Sequence, residues 1–90
     1  MIIMKNKVLI RLSFPELGNT FDIFIPVNEI IWKVKEIIVK SVSDLTGSQL
    51  DLNNKYVLIN QITGQAYDNN EIVLNTDIRN ASELIILSMK

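Results

Sequence analysis

The side chains that could do chemistry in this sequence are carboxylates, amides and hydroxyls. The 90 residues contain neither cysteine nor histidine. This composition excludes a thiol nucleophile, a disulfide, an imidazole base, a Cys/His zinc site and a Ser–His–Asp triad. The acidic residues Asp68, Glu71 and Asp77 do not have the spacing of a calcium loop, and turn formation explains them. We therefore expect no enzymatic activity, no cofactor and no metal ion.

Charge and hydropathy exclude further classes of function. The chain carries 9 basic and 10 acidic residues, for a net charge of −1, which disfavours nucleic-acid binding. No apolar run approaches the roughly 18 residues of a membrane span, and residues 1–5 do not resemble a secretory signal. Isoleucine, leucine and valine make up 32 of the 90 residues, enough for a packed core. We expect a single cytoplasmic domain over residues 1–90 that acts by contact with a protein partner.

The first 26 residues have the pattern of a β-hairpin. Residues 7–14 alternate, with Val8, Ile10 and Leu12 on one side, as in a half-buried strand. Residues 15–19 are turn formers, and a second alternating run follows over residues 20–25.

A helix is predicted from residue 29 to about residue 45, where the apolar period changes to 3.6. Asn28 is the predicted N-cap, and Gly47 follows the expected end. Three lysines lie off the apolar face and are expected to be solvated: Lys33, Lys35 and Lys40. The apolar face consists of Ile30, Ile31, Val34, Ile37, Ile38, Val42 and Leu45.

The remaining residues complete a ββαββ order. Leu50 and Leu52 are expected to anchor a loop at residues 49–54. The predicted elements are a third strand at 55–59, a short fourth strand at 65–67, a helical turn within 72–82 and a last strand at 83–89. One helix must bury its apolar stripe against one sheet face, and the most apolar strands, the first and the last, belong in the centre. This is an α+β fold of the β-grasp type, with a mixed sheet of four or five strands.

Three segments of the chain resemble ubiquitin. The first two are Val73-Leu74-Asn75-Thr76-Asp77-Ile78, which resembles the turn before ubiquitin's last strand, and Ser82-Glu83-Leu84-Ile85-Ile86-Leu87, which resembles that strand. Residues 21–26 similarly resemble its second strand. The sequence ends Leu87-Ser88-Met89-Lys90, without the diglycine of ubiquitin and the related sulfur carriers. We therefore expect neither conjugation nor sulfur transfer.

Over about residues 5–88, the chain resembles more closely the YukD/EsaB-like family of small bacterial ubiquitin-like proteins. The shared features are the length, the hairpin ending at residues 21–26, the apolar helix and the acidic stretch at 68–72. The family is associated with type VII (WXG100) secretion in Gram-positive bacteria. The resemblance implies a non-enzymatic cytoplasmic accessory or regulator that contacts components of the secretion machinery. The alternative is a generic ubiquitin-like interaction or dimerisation domain with no secretion role.

Trp32 and Val39 form the first predicted partner-binding patch. On a helical wheel, both lie about 140–160° from Val34 at the centre of the apolar stripe, so both are expected to face solvent. Tryptophan is enriched at binding hot spots. The alternative is local packing, because with Asn28 as N-cap, Val27 and Trp32 would form a hydrophobic staple.

The outer face of the sheet is the second predicted patch. Alternation and the match to ubiquitin's last strand point Leu9, Phe24, Ile85 and Leu87 away from the helix. An apolar patch of this kind marks a contact site for a partner or for a second copy. Three alternatives remain. A register error of one residue would swap the faces, the loop at 49–54 could cover the patch, or the edge of the first hairpin could add a partner strand.

Overall fold

The computed structural model describes residues 6–51 and 55–89, which form one helix packed on a four-stranded sheet. The elements are β1 (Lys7–Phe14), β2 (Asn19–Pro26), α1 (Ile31–Thr46), β3 (Lys55–Asn60) and β4 (Glu83–Met89), with single 3₁₀ turns at Pro15–Leu17 and Val73–Asn75. The α+β prediction is confirmed, and so is the helical turn predicted within residues 72–82.

The sheet has the strand order β2-β1-β4-β3. β1 pairs antiparallel with β2 and parallel with β4, while β3 pairs antiparallel with β4. The first and last strands are therefore central, as predicted. Their inward side chains are fully or almost fully buried with the helix in one core that includes Ile10, Leu12, Leu84 and Ile86.

The turn and the helix end both use glycine where the backbone turns left-handed. Gly18 follows the 3₁₀ turn with φ of 66°, and Gly47 follows α1 with φ of 70°. The Gly47 N–H donates to the Ser43 carbonyl over 2.9 Å, which closes the last helical turn. A residue with a side chain is strained at this φ, and this explains the glycine that the sequence places there.

The predicted start of the helix is wrong by two residues. The N-cap is Ile30, which has no side-chain cap, and Asn28 lies outside the helix. The first free N–H groups instead donate to carbonyls of a distant loop: Ile31 to Glu71 over 2.8 Å and Trp32 to Asn69 over 3.2 Å. Helix ends need acceptors for these donors, and here tertiary structure supplies them.

The buried stripe of α1 also differs from the prediction at its edges. Ile31, Val34, Ile38, Val39 and Val42 are buried. Leu45, predicted to face the core, is 67% exposed. The helix contacts two strands, β2 and β3. A wider stripe of its surface is therefore buried than the prediction of one contact face assumed.

The predicted fourth strand at residues 65–67 is only an isolated bridge between Ile59 and Ala66. The Tyr67 N–H donates to the Leu58 carbonyl and the Asn60 N–H to the Gln65 carbonyl, both over 2.9 Å. This segment thus covers the outer edge of β3 at Leu58 and Asn60. Elsewhere, Leu50 packs against the core as predicted, and Leu52 lies outside the described residues.

Candidate interaction surfaces

The outer sheet face holds four of the predicted contact residues. Leu9 and Phe24 face each other across β1 and β2 and are 37% and 46% exposed. Ile85 and Leu87 are half-buried on β4. All four alternate with core residues, so they lie on the side away from α1. Their role in binding remains a prediction.

These four side chains form two clusters rather than one patch. The parallel register sets Ile85 opposite Ser13, four residues along β1 from Leu9. Between the clusters, Arg11 Nε lies 3.4 Å from Asp22 Oδ1. Leu9 and Phe24 form the hairpin cluster, which this ion pair separates from the β4 residues.

Two residues of β3 extend the apolar surface formed by Ile85 and Leu87 of β4, and the sequence analysis did not identify them. Val57 pairs with Leu87 and Ile59 with Ile85. We call these four residues the β3–β4 cluster. The sequence contains a signal for this face, because Val57 and Ile59 alternate with Tyr56 and Leu58. It does not show that β3 lies beside β4, since that depends on the topology of the sheet.

Trp32 is exposed, as predicted, at 46%. The staple interpretation is wrong, because the N-cap at Ile30 makes Val34 the fourth helical residue in place of Trp32. The Trp32 backbone is instead held by the Asn69 carbonyl. The backbone of Trp32 is therefore held in place, while its indole ring is exposed to solvent.

The predicted exposure of Val39 is wrong, since the side chain is 1% exposed. The helical-wheel prediction placed the core on one side of the helix only. Tyr56 of β3 is buried in the same core, and both residues line one depression. Val39 therefore lies at the floor of a groove rather than on a convex patch.

That depression, the α1–β3 groove, has a volume of about 480 Å³. It is lined by Trp32, Lys35, Glu36 and Val39 of α1, by Lys55, Tyr56 and Val57 of β3, and by Tyr67, Asn69 and Met89. Val57 also belongs to the β3–β4 cluster, so the groove and that cluster meet along β3.

Lys35 connects the two sides of the groove. Its Nζ donates to the Tyr56 carbonyl over 2.7 Å, and burial lowers the pKa of its ammonium from the ordinary value. Lys35, expected to be solvated, is instead half-buried. Lys33 does lie in solvent, with its Nζ 3.5 Å from Glu36 Oε1.

A network of side-chain hydrogen bonds holds the loops that follow β3 in place. The Tyr67 hydroxyl donates to Asp77 Oδ1 over 2.6 Å, and Asn60 Nδ2 donates to the Tyr67 hydroxyl over 3.1 Å and to Asp77 Oδ2 over 3.2 Å. Burial, and then the Asp77 carboxylate, raise the pKa of Tyr67 to about 12. The network ties β3 to the segment that precedes β4.

Asp68 and Glu71 also have structural roles. Asp68 Oδ1 accepts the Asn70 N–H over 2.8 Å, and the Glu71 carbonyl caps α1. Across residues 6–51 and 55–89, no three carboxylates gather where they could hold a metal ion. In the same residues, no helix has both the length and the apolar character needed to cross a membrane.

Comparison with known proteins identifies the fold. No protein-family profile and no curated sequence matches the chain. Solved structures do match, and several of them are ubiquitin-like domains. The ubiquitin-like domain of Plasmodium falciparum Dsk2 has a TM-score of 0.70 at 11% identity, covering 92% of this chain and 99% of that one. The architecture is therefore a ubiquitin-like β-grasp.

Two further matches show how varied the proteins with this fold are. A chain of the toluene 4-monooxygenase HD complex with an inhibitor has a TM-score of 0.74 at 5% identity, covering 92% of this chain and 99% of that one. A chain of the ESX-5 inner membrane complex has a TM-score of 0.67 at 13% identity. The match covers 93% of this chain but only 21% of the other. At such identities, the likeness establishes the fold alone.

Proposed function

We propose that this protein is a non-enzymatic, ubiquitin-like interaction domain that binds a protein partner through the β3–β4 cluster. The observation that carries the proposal is the position of Val57, Ile59, Ile85 and Leu87 on the sheet face away from α1. An apolar face between edge and central strands, bordered by the Arg11–Asp22 ion pair, has the apolar core and polar rim of an interface.

We further propose that the partner belongs to a bacterial type VII (WXG100) secretion system and that the protein acts on its cytoplasmic side. Two observations support this. The sequence pattern resembles the YukD/EsaB-like family, and a chain of the ESX-5 inner membrane complex contains a region of the same fold. A simple check is the genomic neighbourhood, where genes for WXG100 proteins and a secretion ATPase should lie close by.

The second candidate is a dimerisation domain with no secretion role. The hairpin cluster favours it, because Leu9 and Phe24 present a second exposed apolar surface on the same face. A homodimer that joined two sheet faces would cover both clusters.

The test is affinity purification of the tagged protein from its source organism, followed by quantitative mass spectrometry. Leu87→Asp places a charge in the β3–β4 cluster, and Ile62→Asp, at a side chain that is 78% exposed in a turn, is the matched control. We expect WXG100 proteins or the secretion ATPase to co-purify with the wild type and the control but not with Leu87→Asp. Recovery of the same proteins with all three would reject the cluster as the binding site.

Light scattering separates the two candidates. A wild-type monomer supports the adaptor function. A dimer that Leu87→Asp converts to a folded monomer, without any secretion component in the purification, establishes the dimerisation domain instead.

A further inference from the structure

The α1–β3 groove adjoins the outer sheet face at Val57 and combines apolar side chains with charged ones. Its deepest residues are Val39 and Tyr56, both buried, while Trp32 and Met89 line it with 46% and 59% of their surfaces exposed. The volume of about 480 Å³ falls within the usual range of ligand pockets. Large aromatic and methionine side chains beside an apolar floor are typical of the centre of a protein interface.

The charges of the groove are opposite in sign to the net charge of the chain. The protein carries a net charge of −1, yet Lys35 and Lys55 both line the groove. Its one acidic lining residue, Glu36, lies 3.5 Å from Lys33 outside it. The groove therefore presents an excess of positive charge, which is complementary to a carboxylate.

The groove is also preorganised to receive a ligand. Lys35 donates one hydrogen to the Tyr56 carbonyl, and this bond joins α1 to β3 across the groove. An ammonium has three donors, so two remain for a ligand. The backbone of Trp32 is held by Asn69, and among the described residues its indole N–H has no hydrogen-bond acceptor.

We propose that the α1–β3 groove is a second binding site, which adjoins the β3–β4 cluster at Val57, for a segment of a partner protein that carries a carboxylate next to an apolar side chain. The carboxylate accepts from Lys35 and Lys55. The apolar side chain packs between Trp32 and Met89, above Val39.

A protein segment fits this site better than a lipid surface or a nucleic acid. A bilayer is too broad to reach a floor as buried as Val39. A phosphodiester backbone would place repeated charges beside Glu36, which opposes them. A peptide can place one carboxylate at the lysines and one apolar group at the indole.

The experiment selects ligands from a random heptapeptide library displayed on phage, with the wild-type protein as bait and Lys35→Gln as the counter-selection bait. Selected peptides are then synthesised and titrated. The chain contains a single tryptophan, so its fluorescence reports directly on the groove. We expect the selected sequences to be enriched in Asp or Glu beside Leu, Ile or Phe.

The variants give the expected magnitudes. Lys35→Gln should weaken binding about tenfold or more, through loss of a charge-assisted hydrogen bond. Trp32→Ala should weaken it about 30-fold or more, as expected for a hot-spot tryptophan. Lys40→Gln removes a charge from an exposed site on the same helix and is the matched control, with affinity within twofold of the wild type. Circular dichroism confirms that each variant is folded.

Several results would overturn the proposal. These are an absence of any selected peptide, a selected set without acidic residues, or equal affinity for the wild type and Lys35→Gln. Self-association that Lys35→Gln abolishes would assign the groove to a second copy instead. Leu87 pairs with the shared Val57 but does not itself line the groove. Peptide binding that survives Leu87→Asp therefore separates the groove from the β3–β4 cluster, and failure at one surface then does not decide the other.

Discussion

The contrast between Ile86 and Leu87 tests the sheet register on which both proposed surfaces depend. Ile86 is 0% exposed in the central strand β4, while its neighbour Leu87 is half-buried on the opposite face. Truncation of either residue to alanine removes three carbon atoms. A shift of one residue in the register would exchange the two environments.

The expected magnitudes follow from burial. At about 0.8 kcal/mol per buried carbon, Ile86→Ala loses about 2.4 kcal/mol of transfer free energy, and the cavity left behind raises the total to about 3–4 kcal/mol. Leu87→Ala loses about half the transfer value, near 1 kcal/mol, because water already reaches part of the side chain and no closed cavity forms. For a domain of this size, Tm should fall by about 15–25 °C for the first variant and about 4–8 °C for the second.

The assay is urea unfolding followed by tryptophan fluorescence and by circular dichroism. Both variants should keep the wild-type m-value, which shows that only the stability changed. Equal losses for the two variants, or a larger loss for Leu87→Ala, would refute the register and with it the β3–β4 cluster.

Four further outcomes are expected. Because the pKa of Tyr67 is raised from 10.0 to about 12, its contribution to stability is full below pH 10 and is lost as pH rises through 12. Tyr67→Phe should show a smaller loss of unfolding free energy over that interval. Gly47→Ala should cost about 1 kcal/mol in urea unfolding, because φ is 70°. Val39→Asp should unfold the protein or cost more than about 3 kcal/mol, and a mild effect would contradict its burial. Arg11→Ala should change stability by less than about 1 kcal/mol, and less still in high salt, since its ion pair with Asp22 is exposed.

The alternation and helical period of the sequence determined the four strands and the helix, the inward face of β1 and the central position of β1 and β4. These features follow from local periodicity and from the need to bury the most apolar segments. Val8, Ile10 and Leu12 could therefore be assigned to the core from alternation alone. Leu84 and Ile86 were assigned by the resemblance to ubiquitin's last strand, because that segment is apolar on both faces. The glycine at position 47 likewise marked the helix end, because left-handed backbone favours that residue.

Only the tertiary structure decided how α1 begins, what Val39 faces and where the β3–β4 cluster lies. The helix cap comes from carbonyls at Asn69 and Glu71, far along the chain, and no local pattern around Asn28 can report them. Val39 is buried because β3 approaches α1 from the side. The helical-wheel prediction placed the core on one side of the helix only and so could not include this contact. The same parallel register that joins β1 to β4 separates Leu9 from Ile85. Side-chain alternation specifies a face, but the offset between paired strands decides which residues on that face become neighbours.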